Sequence, residues 1–305
     1  MELIKPGTNI NFVGSMKLSF FISLAMIIIS IASLILHNGP NLGIDFAGGT
    51  LVEVKFKEDT TADTIRSALN TVNLGNSVIQ RFGYKGDNEF LIKTEKTSSE
   101  LKGLSDMIEE ALSTAYPAGA FEIWRVEVVG PKVGKDLREK GMLAMIYAMI
   151  GILIYITWRF EFRYAVGSII ALVHDVTITV GIFSLLNKEF TLPIIAALLA
   201  IIGYSLNDTI VVYDRIRENL RTQRRQSLGE TINGSINQVL SRTVLTSGTT
   251  LLVVGALFFL GGAVIHDFAF ALLVGIIVGT YSSIFIASPT ILAWETWKPS
   301  KKKRK

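Results

Sequence analysis

Apolar runs set the pattern of this chain, and they fall into one early block and a later series. Leu18 to Leu36 comes first; Gly141 to Trp158, Tyr164 to Leu186, Phe190 to Tyr213, Val244 to Ala263 and Phe268 to Leu292 follow a long polar stretch. A helix crosses a hydrocarbon layer of about 30 Å with about 20 apolar residues at 1.5 Å each, so each run predicts a membrane-spanning helix. The first run exceeds the apolar core of a signal peptide. The HNGPNLG after it has no small-x-small cleavage site, so the run reads as a retained span.

The polar stretch between the first two spans carries shorter periods. GIDFAGGTLVEVKF reads as a strand, with apolar Leu51, Val52, Val54 and Phe56 alternating apart from one offset. TADTIRSALNTVNL opens on Thr61, a plausible N-cap, and sets Ile65, Leu69 and Val72 at helical spacing. SVIQRF and EFLIKTE follow as strands around the turn formers Gly83, Gly86, Asp87 and Asn88. SSELKGLSDMIEEALSTAY predicts a second helix with Leu101, Leu104, Ile108 and Leu112 on one face, and FEIWRVEVV the last strand. The order β-α-β-β-α-β is that of the ferredoxin-like split unit. The fold expected is therefore an α-helical polytopic membrane protein: six transmembrane helices with a small α+β ferredoxin-like outer domain between helices one and two. KVGKDLREK reads as a short charged linker from that domain into the second span, permitting relative motion unless contacts prevent it.

Composition changes the picture where charge is concerned. Half of the 305 residues are hydrophobic and 18% are charged, too apolar for a soluble domain of this length. The formal charge of +4 suggests a nucleic-acid partner, but the basic residues cluster beside apolar spans. Arg159 and Arg163 join spans two and three, Arg215, Arg217, Arg221, Arg224, Arg225 and Arg242 join four and five, and KKKRK ends the chain. The rule that cytoplasmic loops carry excess Lys and Arg accounts for all of them, so no nucleic acid is expected. It predicts an inner-membrane protein with cytoplasmic termini: 1–40 as N-terminus and first span, 41–134 as a periplasmic domain, 135–294 as the remaining five spans, and 295–305 as a basic tail. Within the five-span region, 214–243 reads as a basic cytoplasmic loop into which the fourth span continues as helix, since Asp214 with Glu218 and Arg217 with Arg221 recur at helical spacing. Its GETINGSINQVLSRT is expected to return as a separate amphipathic segment on the inner surface. There is no cysteine, and three scattered histidines give no ligand spacing, so no metal or other cofactor is expected. Without a Walker sequence or a nucleophile beside a base, the chain does not read as an enzyme.

Candidate chemistry lies inside the spans. Asp208 sits in IIGYSLNDTIVVYDRIRENLR; an ionised Asp at mid-membrane costs about 2.5 to 3.5 kcal/mol, which favours a functional carboxylate in a proton relay. The alternative is a solvated helix end formed by Asn207, Asp208 and Thr209. His174 and Asp175 lie mid-way along the third span, either as relay groups or as a pair that only orients the bundle. Arg242 begins the fifth span at a depth close to that of Asp208, as a charge partner for it or as a snorkelling end residue. Thr243, Thr246, Ser247, Thr249 and Thr250 form a hydroxyl-rich face, and Gly275 and Gly279 a GxxxG spacing, both signs of close helix packing.

GIDFAGGT at 43–50, LVHDV at 172–176 and GYSLNDTIVVYDRIRENLR at 203–221 together resemble the SecF family, the smaller subunit of bacterial SecDF protein-export complexes. The resemblance covers the whole chain, and the 203–221 motif is its most specific part. It marks Asp45, Phe46, Gly48, Gly49, Asn207, Asp214 and Arg215 as motif residues and carries the family's proton-linked aspartate and arginine onto Asp208 and Arg242. It implies pairing with SecD, association with the SecYEG channel, contact with a translocating preprotein and membrane lipid, and use of the proton-motive force to pull the preprotein outward. A proton-coupled small-molecule antiporter of the same superfamily and a passive scaffold of the channel are the other readings. Sodium remains an alternative to protons, because Ser205, Asn207 and Thr209 flank the Asp208 carboxylate.

Overall fold

The computed structural model describes residues 7–82, 86–94, 103–222 and 225–297. Gly83, Leu101, Arg224 and the KKKRK tail lie outside the described residues. In chain order the elements are α1 (Phe12–Leu36), α2 (Ile44–Ala47), β1 (Gly49–Phe56), α3 (Ala62–Asn70), β2 (Val78–Phe82), β3 (Glu89–Thr94), α4 (Leu104–Ala115) and β4 (Phe121–Val129). The bundle continues with α5 (Pro131–Arg159), α6 (Phe162–Leu185), α7 (Leu192–Thr222), α8 (Leu228–Leu260) and α9 (Gly262–Ser282). A π-helical segment, Ser283–Ala287, leads from α9 into α10 (Ser288–Trp297). Among the described residues, six helical stretches are long and apolar enough to cross a membrane, the last running from Val264 to Glu295 through the π segment.

The small domain is a four-stranded antiparallel sheet in the order β2-β3-β1-β4, the ferredoxin-like arrangement. Alternation along β1 points Val52, Val54 and Phe56 into a core completed by Ile65 and Leu69 of α3, Ile92 of β3, and Ile108 and Leu112 of α4. Thr61 caps α3 by accepting the Thr64 amide, 3.2 Å away. The sheet's other face carries charge, with Lys55 paired to Glu89 at 3.0 Å and lying over the Trp124 ring.

Three expectations need correction. The first strand starts at Gly49, at φ 136°; residues 44–47 form the helical turn α2 instead, separated from the strand by Gly48 at φ 80°. The charged linker is the start of α5, because Pro131 at its first turn favours helix and Gly134 lets it lie against the Phe46 carbonyl. Over 214–243 the fourth span continues as helix, as its charge spacing predicts, but the segment after it is not separate from the fifth span. α7 continues to Thr222, a Ser227–Glu230 capping box starts α8, and Ile232, Ile236, Val239 and Leu240 pack into the bundle core with Phe12 and Met16 of α1. The amphipathic segment is thus the opening of the fifth span, its apolar stripe buried against α1 and α7 rather than resting on a surface.

Candidate functional site: carboxylates inside the helix bundle

The buried stripe of α7 includes Leu198, Ile201, Ser205, Asp208 and Val212, a helical period that turns Asp208 inward. Asn207, a step of about 100° around the helix, is exposed. Asp208 lies 16 residues, about 24 Å, beyond the helix start on the domain side, and Asp175 ten residues, about 15 Å, from the domain-side end of α6. Both distances fall within a hydrocarbon layer of about 30 Å.

Each carboxylate is held by hydroxyl groups. Asp208 accepts from Thr243 of α8 at 2.7 Å on one oxygen and from Ser283 at 2.5 Å on the other. Asp175 is fully buried; one oxygen faces His174 Nδ1 at 2.8 Å, and the other accepts from Ser205 of α7 at 2.6 Å and Ser282 of α9 at 2.8 Å. The His174 ring stacks on Tyr281, and its Nε2 is buried without a hydrogen-bond partner among the described residues. The groups converge because α9 can approach α7 closely. A Cβ on Gly275 would sit 2.3 Å from the Ile201 side chain, and one on Gly279 2.9 Å from Ser205 Cβ. The GxxxG spacing therefore acts as the close contact that carries Ser282 and Ser283, one turn further on, to the acids.

Arg242 does not touch Asp208. It is exposed and lines a cavity of about 250 Å³ at the far end of the bundle from the small domain, with Tyr155, Arg159, Asp214, Arg215 and Glu218 among its walls. Residues 242 and 243 diverge by about 100° on the helix, so when Thr243 faces the carboxylate the guanidinium faces the cavity. Asp214 is exposed at the same opening, and Arg215 pairs with Glu218 at 2.9 Å.

The remaining motif residues form a second cluster, where the small domain joins the bundle. The Asp45 carboxylate accepts the Leu192 amide at 2.8 Å, satisfying a free donor at the start of α7. Backbone bonds from Gly43 to Phe190 and from Phe190 to Asn41 tie the same segment to the α6–α7 connection. Phe46 is buried beside Phe190 and Ile194. Gly48 has no room for a side chain, since a Cβ would meet Pro131 Cα at 2.9 Å; on Gly49 it would meet the Thr94 carbonyl at 2.6 Å. Lys93 of β3 and Glu189 complete the joint as an ion pair.

Sequence reasoning missed Ser282 and Ser283. Their signal was present, since TYSS interrupts an otherwise apolar span, but the GxxxG beside it drew the reading toward packing alone.

Two family models match the chain: the C-terminal region of the protein export membrane proteins SecD/SecF over residues 108–297, and the SecD/SecF GG motif over 33–60. A protein translocase subunit SecF from Magnetococcus marinus is 50% identical over 295 residues, covering 96% of this chain and 94% of that protein. One from Vibrio alginolyticus is 45% identical, covering 95% and 91%. The crystal structure of SecDF from Thermus thermophilus, a translocon-associated membrane protein, superposes with a TM-score of 0.85 at 39% identity. The match takes in 95% of this chain and only 39% of that longer chain.

Proposed function

We propose a function from one premise: this chain belongs to the SecF family of protein translocase subunits. It is an accessory, multi-pass membrane subunit of protein export. In our reading it pairs with SecD beside the SecYEG channel and uses the proton-motive force to promote movement of preproteins across or into the inner membrane. Its termini face the cytoplasm and its small domain the periplasm. That the SecDF relative contains a much longer chain than this one supports a SecD partner completing the machine.

The observation that carries the proton-coupled reading is Asp208, a carboxylate 8% exposed inside a span and met by hydroxyls from two other helices. Hydroxyls can donate to an ionised carboxylate and accept from a neutral one, so the site accommodates either charge state. The cavity lined by Arg242 and Asp214 lies on the inner side of it, and Asp175 with His174 lies on the domain side. Moving one charge across 100 mV supplies about 2.3 kcal/mol, enough to bias a two-state bundle by tens-fold. The cluster at Asp45 and Phe46 is where such a bias reaches the small domain.

The test is export of a secreted reporter from membranes carrying Asp208→Asn, with SecD assembly verified and a proton or a sodium gradient imposed. Loss of the gradient-dependent component by at least about tenfold is expected. Unchanged gradient-dependent export from the assembled complex would sink the role of Asp208, and dependence on sodium alone would replace the proton.

A further inference from the structure

Four consecutive residues of the last span each reach a different helix. Thr280 meets Ser247 of α8 at 2.8 Å, and the Tyr281 hydroxyl donates to the Ser19 carbonyl of α1 at 2.8 Å. Ser282 donates to Asp175 of α6 and Ser283 to Asp208 of α7. Successive helical residues are about 100° apart, so four in a row sweep most of the circumference. Only a helix surrounded by the others can satisfy them all, which makes this stretch the polar hub of the bundle.

The two serines have a second property. Ser282 Oγ lies 3.1 Å from the Gly279 carbonyl and Ser283 Oγ 2.9 Å from the Thr280 carbonyl, each one turn back on its own helix. A hydroxyl carries one proton and can accept in two lone pairs. Each serine thus has two acceptors for that proton, a carboxylate on a neighbouring helix and a carbonyl on its own. With the carboxylate ionised, the proton points at it; with the carboxylate protonated, the serine proton turns to the carbonyl and its oxygen accepts from the acid. Neither state leaves the serine hydroxyl or the carboxylate unpaired; the one covalent change is the O–H bond that the carboxylate forms with a proton on protonation and gives up on ionisation.

Resting on the proton-coupled reading above, we propose that Ser282 and Ser283 are positioning residues that join Asp175 and Asp208 into one coupled unit. Because they are neighbours on one backbone, a change in the hold of Ser283 on Asp208 is felt by Ser282 at Asp175. The π segment begins at Ser283, and its irregular backbone is held from outside: the Ser288 hydroxyl takes the Ser283 carbonyl at 3.0 Å and the Tyr213 hydroxyl takes that of Ala287 at 3.0 Å. Such segments sit at functional sites because surrounding contacts must maintain them. The other ionisable groups facing the unit are His174 from α6, Tyr204 from α7 and Tyr281 from α9, with the Arg242 charge of α8 beside Thr243 but turned to the cavity; α1 presents Ser19 and Ser23.

The experiment measures gradient-driven export across a pH series with the assembled SecD-containing complex, comparing wild type with Ser282→Ala, Ser283→Ala, Ser282→Thr, Ser283→Thr and Asp208→Asn. Each alanine variant is expected to lower the gradient-driven component severalfold and displace its pH midpoint by about one unit, as losing a hydrogen bond to a charged carboxylate requires. The threonine variants, which keep the hydroxyl, should retain the wild-type midpoint. Where Ser283→Ala reduces the amount of assembled complex, Ser283→Cys carries the same comparison. A wild-type midpoint in the alanine variants, or an equal displacement with threonine, overturns the inference. If Asp208→Asn is inactive while Ser283→Ala behaves as wild type at every pH, only this inference fails; active Asp208→Asn removes the functional reading beneath it.

Discussion

The small domain and the helix bundle are built inside out with respect to each other. In the domain, Val52, Val54, Ile65 and Leu69 fill an apolar core, and the Lys55–Glu89 pair lies on the sheet's other face. In the bundle, Leu252, Phe259 and Leu260 are more than two-thirds exposed on the outside, while Asp175, His174, Ser205, Ser282 and Ser283 are inside. The domain is sorted by water and the bundle by lipid. For a domain in water an apolar interior is itself the driving force; in lipid it brings no such gain, so small residues and hydrogen bonds hold helices together. An unpaired carboxylate in the domain's apolar core would be a defect, whereas in the bundle Asp175 and Asp208 are buried with hydroxyl partners that donate to them.

The strongest test of that contrast places the same acid in each setting. Leu69→Asp puts an unpaired charge into the domain core, fully buried in the native fold, and is expected to destabilise the domain by about 3 kcal/mol or more. Limited proteolysis of the membrane-embedded complex should then cut the small domain while the bundle survives. Leu252→Asp, on the exposed face of α8, should cost about 2.5 to 3.5 kcal/mol at insertion and appear as less protein in the membrane, with the domain of the inserted fraction intact. Equal proteolysis of the domain in both variants would erase the distinction.

Asp45→Ala sharpens the comparison at the joint between the two regions. Losing the cap on the Leu192 amide should weaken the start of α7 by about 1 kcal/mol, read as faster hydrogen exchange of that first turn with the domain core still protected. Glu53→Gln should have the smallest effect. Burial in the sheet raises the Glu53 carboxyl above its usual pKa, helped by Glu89 and Glu127 and opposed by Arg125. The sign follows from the folded state preferring the protonated form. Domain stability is highest below the unfolded pKa and falls as pH rises through the folded one. Glu53→Gln should therefore raise the unfolding temperature at pH 7 and leave it unchanged near pH 3. Equal gains at both pH values would show that charge is not the cause.

Periodicity along the chain determines much of this molecule. Apolar runs of spanning length, the β-α-β-β-α-β order, the Thr61 cap and the inward stripe bearing Asp208 are local properties, written within a few turns of chain. Where regular helix gives way or extends, local signals mislead: Gly48 ends α2 ahead of a strand opened by Gly49, the charged linker is helix from Pro131 onward, and the segment after Ser227 opens the fifth span because its apolar stripe is buried. The site itself is a product of the tertiary structure. Ser283 and Asp208 are 75 residues apart, and Ser282 and Asp175 are 107 apart. Their meeting depends on the close approach at Gly275 and Gly279, and on which way Thr243 and Arg242 turn around α8. A sequence states which face of each helix is polar; which polar faces meet is decided by how closely the backbones can pack.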